Sequence, residues 1–256
     1  MTSLPDDVSI RTSGNFGRHI GAMSAILSEW LPPIPEEALK AHDAGLSYTP
    51  SPRTVIDNIQ LDVYEQLQAC RFNTLTGYYW IAIACLRGAI ELSVIGAYFE
   101  TSRSKSEFDD WYAGGEEVKF GKACDLLPKV TRFCDFERKL KNQLSLNVAI
   151  FDQRTDSHRG GWARSLYDTL SDVVHTRPHV AAGHYWDGSN GPIFVEESFL
   201  ECYRYFLEIA LLCRIIMTLA KPSLRYPPGF EVCLSAPDFV APEYATSAFK
   251  LFWNKP

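Results

Sequence analysis

Apolar residues recur at helical spacing along most of this chain. From about residue 53 to residue 75, Val55, Ile59, Val63 and Leu67 fall three or four positions apart, the period of one helix face. Gly77 separates this stretch from a second, residues 78–101, that is apolar nearly throughout. "SKSEFDDWYAGG" predicts a short helix with Ser106 as N-cap and Gly114–Gly115 as the stop. Further helices are expected over 116–127, 129–150, 162–175 and 196–220. On the fifth of these long stretches Trp162, Leu166, Leu170 and Val173 share one face. No strand pattern alternates with these helices, which argues against a doubly wound sheet.

The flanks read differently. Residues 1–18 look mobile, "HIGAMSAILSEW" suggests a short helix, and "PEEALKAHDAGL" suggests another, with Pro35 in its first turn and Gly45 at its stop. Residues 1–52 are therefore expected to form an arm with short helices, and residues 53–221 a helical bundle. Residues 222–256, rich in proline and aromatics, are expected to be irregular and to pack on that bundle. The helix 196–220 is apolar on nearly all sides, from Phe199 to Ile216. Such a helix must be covered on all sides, by neighbouring helices, by the "FKLFW" tail or by a second subunit.

Composition adds boundaries. At 256 residues the chain can bury about 70–75% of its unfolded surface without staples. The net charge of −6 argues against broad, non-specific affinity for nucleic acid. Seven cysteines, none in a C-x-x-C pair, sit mostly in apolar helical stretches; they read as buried hydrophobes in a reducing compartment, and the N-terminus carries no secretory pattern. A cytoplasmic location is expected. Ile81–Phe99 is long enough to span a bilayer, but Arg87 and Glu91 near its middle favour a core helix over a membrane span.

Those two charges are the first chemical candidates. At i, i+4 they lie on one helix face. They form either a structural ion pair or a ligand-holding pair at a polar groove. Arg164, Asp168, Ser171 and His175 form a polar stripe on a later helix, readable as a solvated face or as an acid–base constellation around His175. The loop that follows, "HTRPHVAAGHYWDGSNGP", holds His175, His179 and His184 with Arg177 between the first two. The spacing of the histidines matches no compact metal-ligand pattern, so no metal or other cofactor is expected. "WDGSNGP" is dense turn chemistry, which implies an ordered loop. Phosphate-cradling glycine motifs and a G-x-S-x-G nucleophile elbow are absent.

"ACLRGAIELSVIGAYF" followed by "LYDTLSDVVHTRP" resembles the HEPN-like superfamily of bacterial helical proteins. The resemblance rests on an R-x-x-x-E helix, matched by Arg87 and Glu91, and a Y-x-x-L-S-x-x-x-H helix, matched by Tyr167, Leu170, Ser171 and His175. It covers roughly residues 55–220 and implies an all-α, up-down helical bundle. Many members are metal-independent ribonucleases of toxin–antitoxin and phage-defence systems; others are non-catalytic binding or dimerisation modules. The resemblance implies His175 or His184 as acid–base and Arg177 as phosphate holder; beside them Arg87, Glu91, Asp168, Ser171 and Asn190 are the candidate ligand-binding residues. It further implies RNA or a protein as partner, and a homodimer. The superfamily's R-x4–6-H spacing is met only by Arg177 and His184, across Pro178 and Gly183 in a loop.

Overall fold

A computed structural model describes residues 6–30, 40, 43–44, 54–115, 117–144, 149–153, 160–174, 194–224 and 234–253. Among these residues every regular element is helical: nine α-helices, one short 3-10 turn and no strand. The chain is all-α.

The order of elements explains how the core is built. Helix α1 runs Asp6–Trp30. Helices α2 (Val55–Thr76) and α3 (Tyr79–Ser102) form a hairpin packed along its length. The hairpin is sharp for local reasons. Thr54 donates its backbone N–H to the Asp57 carboxylate at 2.9 Å and so begins α2. Gly77 ends α2 at φ 81°, a left-handed conformation that costs glycine least. Near the far end of the hairpin the backbones approach so closely that a Cβ on Gly96 would lie 2.6 Å from Ile59 Cγ1.

Next come α4 (Lys105–Tyr112), α5 (Phe120–Leu126), a 3-10 turn and α6 (Thr131–Leu144). Helix α4 is capped by Ser104, not by the expected Ser106; Ser104 Oγ accepts from the Glu107 amide, and the Glu107 carboxylate accepts from the Ser104 amide at 2.8 Å. Helix α6 is described over Thr131–Leu144, and Ala149 and Ile150, expected within it, are not helical. Helix α7 (Trp162–Val174), helix α8 (Glu196–Ala220) and helix α9 (Glu243–Trp253) complete the chain.

Helix α8 is the centre of the core. Its residues from Phe199 to Ala220 are mostly buried, and α1, α2, α3, α6 and α9 pack on it. Its apolar girdle is thus covered from within the chain, so the argument from that girdle to a second subunit falls away. Its one fully buried charge, Arg214, lies with its guanidinium 4.6 Å from the Trp30 ring. Among the described residues α3 alone is long and apolar enough to cross a membrane, and 56% of its apolar window is buried against the rest of the chain.

Two flank expectations need correction. The reading of residues 1–52 as an arm fails for α1, a single long helix whose Met23, Ile26, Leu27 and Trp30 are core residues. A reciprocal pair of hydrogen bonds fastens it: Trp30 Nε1 donates to the Gln60 carbonyl at 3.0 Å, and Gln60 Nε2 donates to the Trp30 carbonyl at 2.6 Å. The proposed helix over "PEEALKAHDAGL" lies outside the described residues except for residues 40, 43 and 44. The C-terminal segment is not irregular throughout, because α9 buries Ala245 and Ala248 against α6 and α8. The seams behind both corrections are long-range packing, which short windows of sequence do not reveal.

Candidate functional site

Arg87, Gly88, Glu91, Leu92 and Ile95 occupy one face of α3, at spacings that stack successive helical turns. That face forms the floor of a groove of about 740 Å³. Arg164, Tyr167 and Asp168 of α7 make one wall, and Trp111 of α4 together with residues 117–121 makes the other. Residues 117–120, Glu-Val-Lys-Phe, alternate: Val118 and Phe120 are buried while Glu117 and Lys119 are exposed.

Arg87 organises the groove floor. Its Nε donates to Ser171 Oγ at 2.9 Å, its Nη2 donates to the Tyr167 hydroxyl, and its Nη1 lies 3.3 Å from Glu91 Oε2. The guanidinium also sits 4.5 Å from the centroid of the Tyr167 ring, whose ring in turn stacks on Phe120 at 3.9 Å and 10°. Phe120, Tyr167 and Arg87 are therefore three successive planar groups in contact. Burial, with the Glu91 carboxylate next in weight, pushes the Tyr167 hydroxyl above its usual range, so it stays protonated near neutral pH.

The expected pairing of Arg87 with Glu91 is present, and the pair faces a groove: the two side chains are 24% and 32% exposed. Asp168 lines the same groove, and Ser171 meets it through Arg87. Arg164, Asp168 and Ser171 of the polar stripe are each half-buried. Arg164 reaches Asp125 and the carbonyls of Gly121 and Phe151, and so holds α7 to α5 and to the segment before it. His175, Arg177, His179, His184 and Asn190 lie outside the described residues.

The start of α7 is fixed with equal care. Gly161, Trp162 and Ala163 donate their backbone N–H groups to the carbonyls of Asp152, Ala149 and Ile150 at 2.8–2.9 Å, which satisfies donors a helix N-terminus otherwise leaves open. The buried Glu137 carboxylate accepts from the amides of Ile150 and Phe151 at 3.0 and 2.8 Å and holds that strip in place.

Burial pushes the thiol of Cys124 on α5 up to about 12, so it is not a thiolate at neutral pH. Among the described residues no group of three or more His, Cys, Asp or Glu could hold a metal ion. A second, smaller depression of about 540 Å³ runs along α8 past Glu197, Glu201, Arg204, Tyr205 and Glu208.

Trp111, Phe120 and Lys119 were not singled out from the sequence. The two-residue alternation over 117–120 is the signal that could have found one wall, since it marks an extended segment with one face inward. Nothing local marks Trp111.

Comparison with protein-family models, with curated proteins and with solved structures gives no match in any of the three. What fold and site define together is an all-α protein with a mixed-charge, aromatic-walled groove between α3 and α7.

Proposed function

We propose that this chain is a HEPN-like up-down helical bundle acting as a metal-independent ribonuclease, or an effector derived from one, in bacterial phage defence or a toxin–antitoxin pair. The observation that carries the reading is the Arg87 network. It joins the R-x-x-x-E helix to the Y-x-x-L-S-x-x-x-H helix through Ser171 and Tyr167. In this reading Arg87 is a positioning residue. It aligns α7, from whose C-terminal end the chain continues directly into His175 and Arg177. His175 or His184 then moves the proton, and Arg177 holds a phosphate through charge-assisted hydrogen bonds. The homodimer and the cytoplasmic location belong to this proposal through the resemblance and the cysteine usage.

The test is RNA cleavage in EDTA by the wild-type chain, by His175→Ala and by Arg177→Ala. Cleavage that survives EDTA and drops at least tenfold in both variants supports the reading. Absence of cleavage on any RNA, with natural partners added, sinks it.

A second reading, a non-catalytic interaction module, is favoured by a specific observation. The groove is not basic: Arg87, Lys119 and Arg164 face Glu91, Glu117 and Asp168, whereas phosphate backbones are held by a net positive surface. A copurified protein partner, with biological activity unchanged in His175→Ala, would establish this reading over the first.

A further inference from the structure

The groove between α3 and α7 is polarised along its length. Arg87 and Glu91 lie toward one end; Ile95, about 12 Å further along α3 at 1.5 Å per residue, lies toward the other. At that second end lie the apolar Leu92, Ile95, Trp111 and Val118, with the exposed Glu117 beside Val118 at the rim. A groove with a charged end and an apolar end, of about 740 Å³, is in the size range of small-molecule sites.

The charged end is balanced. Its floor is an ion pair, Nη1 to Oε2 at 3.3 Å, with both members partly open to the groove. Arg87 spends donors on Ser171, Tyr167 and Glu91, yet a guanidinium carries five N–H groups and retains capacity for one more acceptor. A ligand with a single negative charge would meet Glu91 as well as Arg87. A ligand with a single positive charge would meet Arg87 as well as Glu91. With Lys119, Arg164, Glu117 and Asp168 also in the lining, the groove carries three charges of each sign, and a ligand with both charges close together places each against its opposite without upsetting that balance. An aromatic or branched apolar body on the same ligand would then reach Trp111 and Leu92.

We infer that the α3–α7 groove is a binding site for a small amphipathic zwitterion, an aromatic amino acid or a compound of that chemistry. Its carboxylate lies on Arg87, its ammonium group on Glu91, and its ring against Trp111. Tyr167 keeps the guanidinium in register by hydrogen bond and by ring contact. The site stands whether or not the chain cleaves RNA; in a ribonuclease it would serve as the place where a metabolite acts on the enzyme.

The experiment is isothermal titration of the full chain with L-tryptophan, L-tyrosine and L-phenylalanine. Tryptamine, indole-3-propionate and adenosine monophosphate are the comparison ligands. One of the amino acids is expected to bind, with each single-charge indole at least tenfold weaker than tryptophan. Glu91→Gln is expected to weaken binding of that amino acid at least tenfold. Leu92→Trp, which fills the apolar end, is expected to abolish it, with the circular dichroism spectrum of both variants unchanged. Should a variant lose its helical spectrum, the analogue series on the wild-type chain decides alone. Equal binding of the single-charge indoles, binding of the nucleotide in place of the amino acids, or no binding of any amino acid overturns the assignment.

Discussion

Arg87 and Ser171 stand 84 positions apart in the chain and are joined at 2.9 Å, Nε to Oγ. The bond is one of three that Arg87 makes, and it ties α3 to α7 at the floor of the groove. Replacing Arg87 by alanine leaves a partly buried Glu91 without its cation and removes the donors to Ser171 and Tyr167. The expected loss is about 1–3 kcal/mol, read as a lower urea midpoint. Arg87→Lys should recover only part, because an ammonium group on a flexible stem lacks the planar fork that meets three partners at once. Full recovery by lysine would show that charge alone matters here.

Gly96 lies against Ile59, where an added Cβ would approach Cγ1 at 2.6 Å and Cγ2 at 2.9 Å. Alanine is the better helix former by about 1 kcal/mol, yet the clash should outweigh it, giving a net loss of about 1–2 kcal/mol. The check is a double-mutant cycle. In the Gly96→Ala background, Ile59→Ala should cost less than it costs alone, since it removes the atoms in conflict. Additive effects would mean that α2 and α3 separate freely.

Gly161 meets backbone, not side chain: a Cβ there would lie 2.5 Å from the Ile150 carbonyl oxygen and 2.6 Å from the Asp152 nitrogen. Backbone cannot swing aside as a side chain can. Gly161→Ala should break the bonds from residues 161–163 to residues 149–152, and the amides of Trp162 and Ala163 should lose protection in hydrogen exchange. Unchanged protection there would show that the strip rearranges at no cost.

Glu208 accepts from Trp162 Nε1 at 2.8 Å, and burial raises its carboxyl above the ordinary value of 4.5, against the opposing effect of that hydrogen bond. The folded state therefore binds this proton more tightly than the unfolded state does. The contribution from this residue is present below the ordinary value and is lost as pH rises through the raised one. Glu208→Gln keeps an acceptor for Trp162 and removes the charge. The variant should melt higher than wild type near neutral pH, and the difference should close as the pH falls to the ordinary glutamate value. A lower melting temperature at neutral pH would mean that the charge itself is stabilising. Asp57 works in the opposite sense. Burial alone would raise its carboxyl, but the bonds from Lys221 and Thr54 outweigh it, so its stabilisation fades as acid is added below the ordinary value of 3.8.

The helices themselves were legible without coordinates. Val55, Ile59, Val63 and Leu67 announce one buried face, and all four are at most 4% exposed. Gly77 announces the turn between α2 and α3, because only a residue at ease with positive φ ends a helix so abruptly. Arg87 with Glu91 could be read as an ion pair on one face, since four residues on a helix is a fixed geometry. The two flank helices were harder. Phe16, Ile20, Met23, Leu27 and Trp30 do follow a helical period, but glycines at 14, 17 and 21 weaken it. What completes α1 is burial against α2 and α8.

Which polar groups would meet was decided elsewhere. The sequence by itself determines the span of α3, the start of α7 and which of their faces carry Arg87, Tyr167 and Ser171, because helical period and chain stops are local properties. It does not determine that those faces oppose each other, that Phe120 backs the Tyr167 ring at 3.9 Å, or that Arg164 turns from the polar stripe to Asp125. Those outcomes depend on how α8 is wrapped by its neighbours. That wrapping sets the crossing of α3 and α7 through many small apolar contacts distant in the chain, and only when they are satisfied together does a groove with one charged end and one apolar end exist.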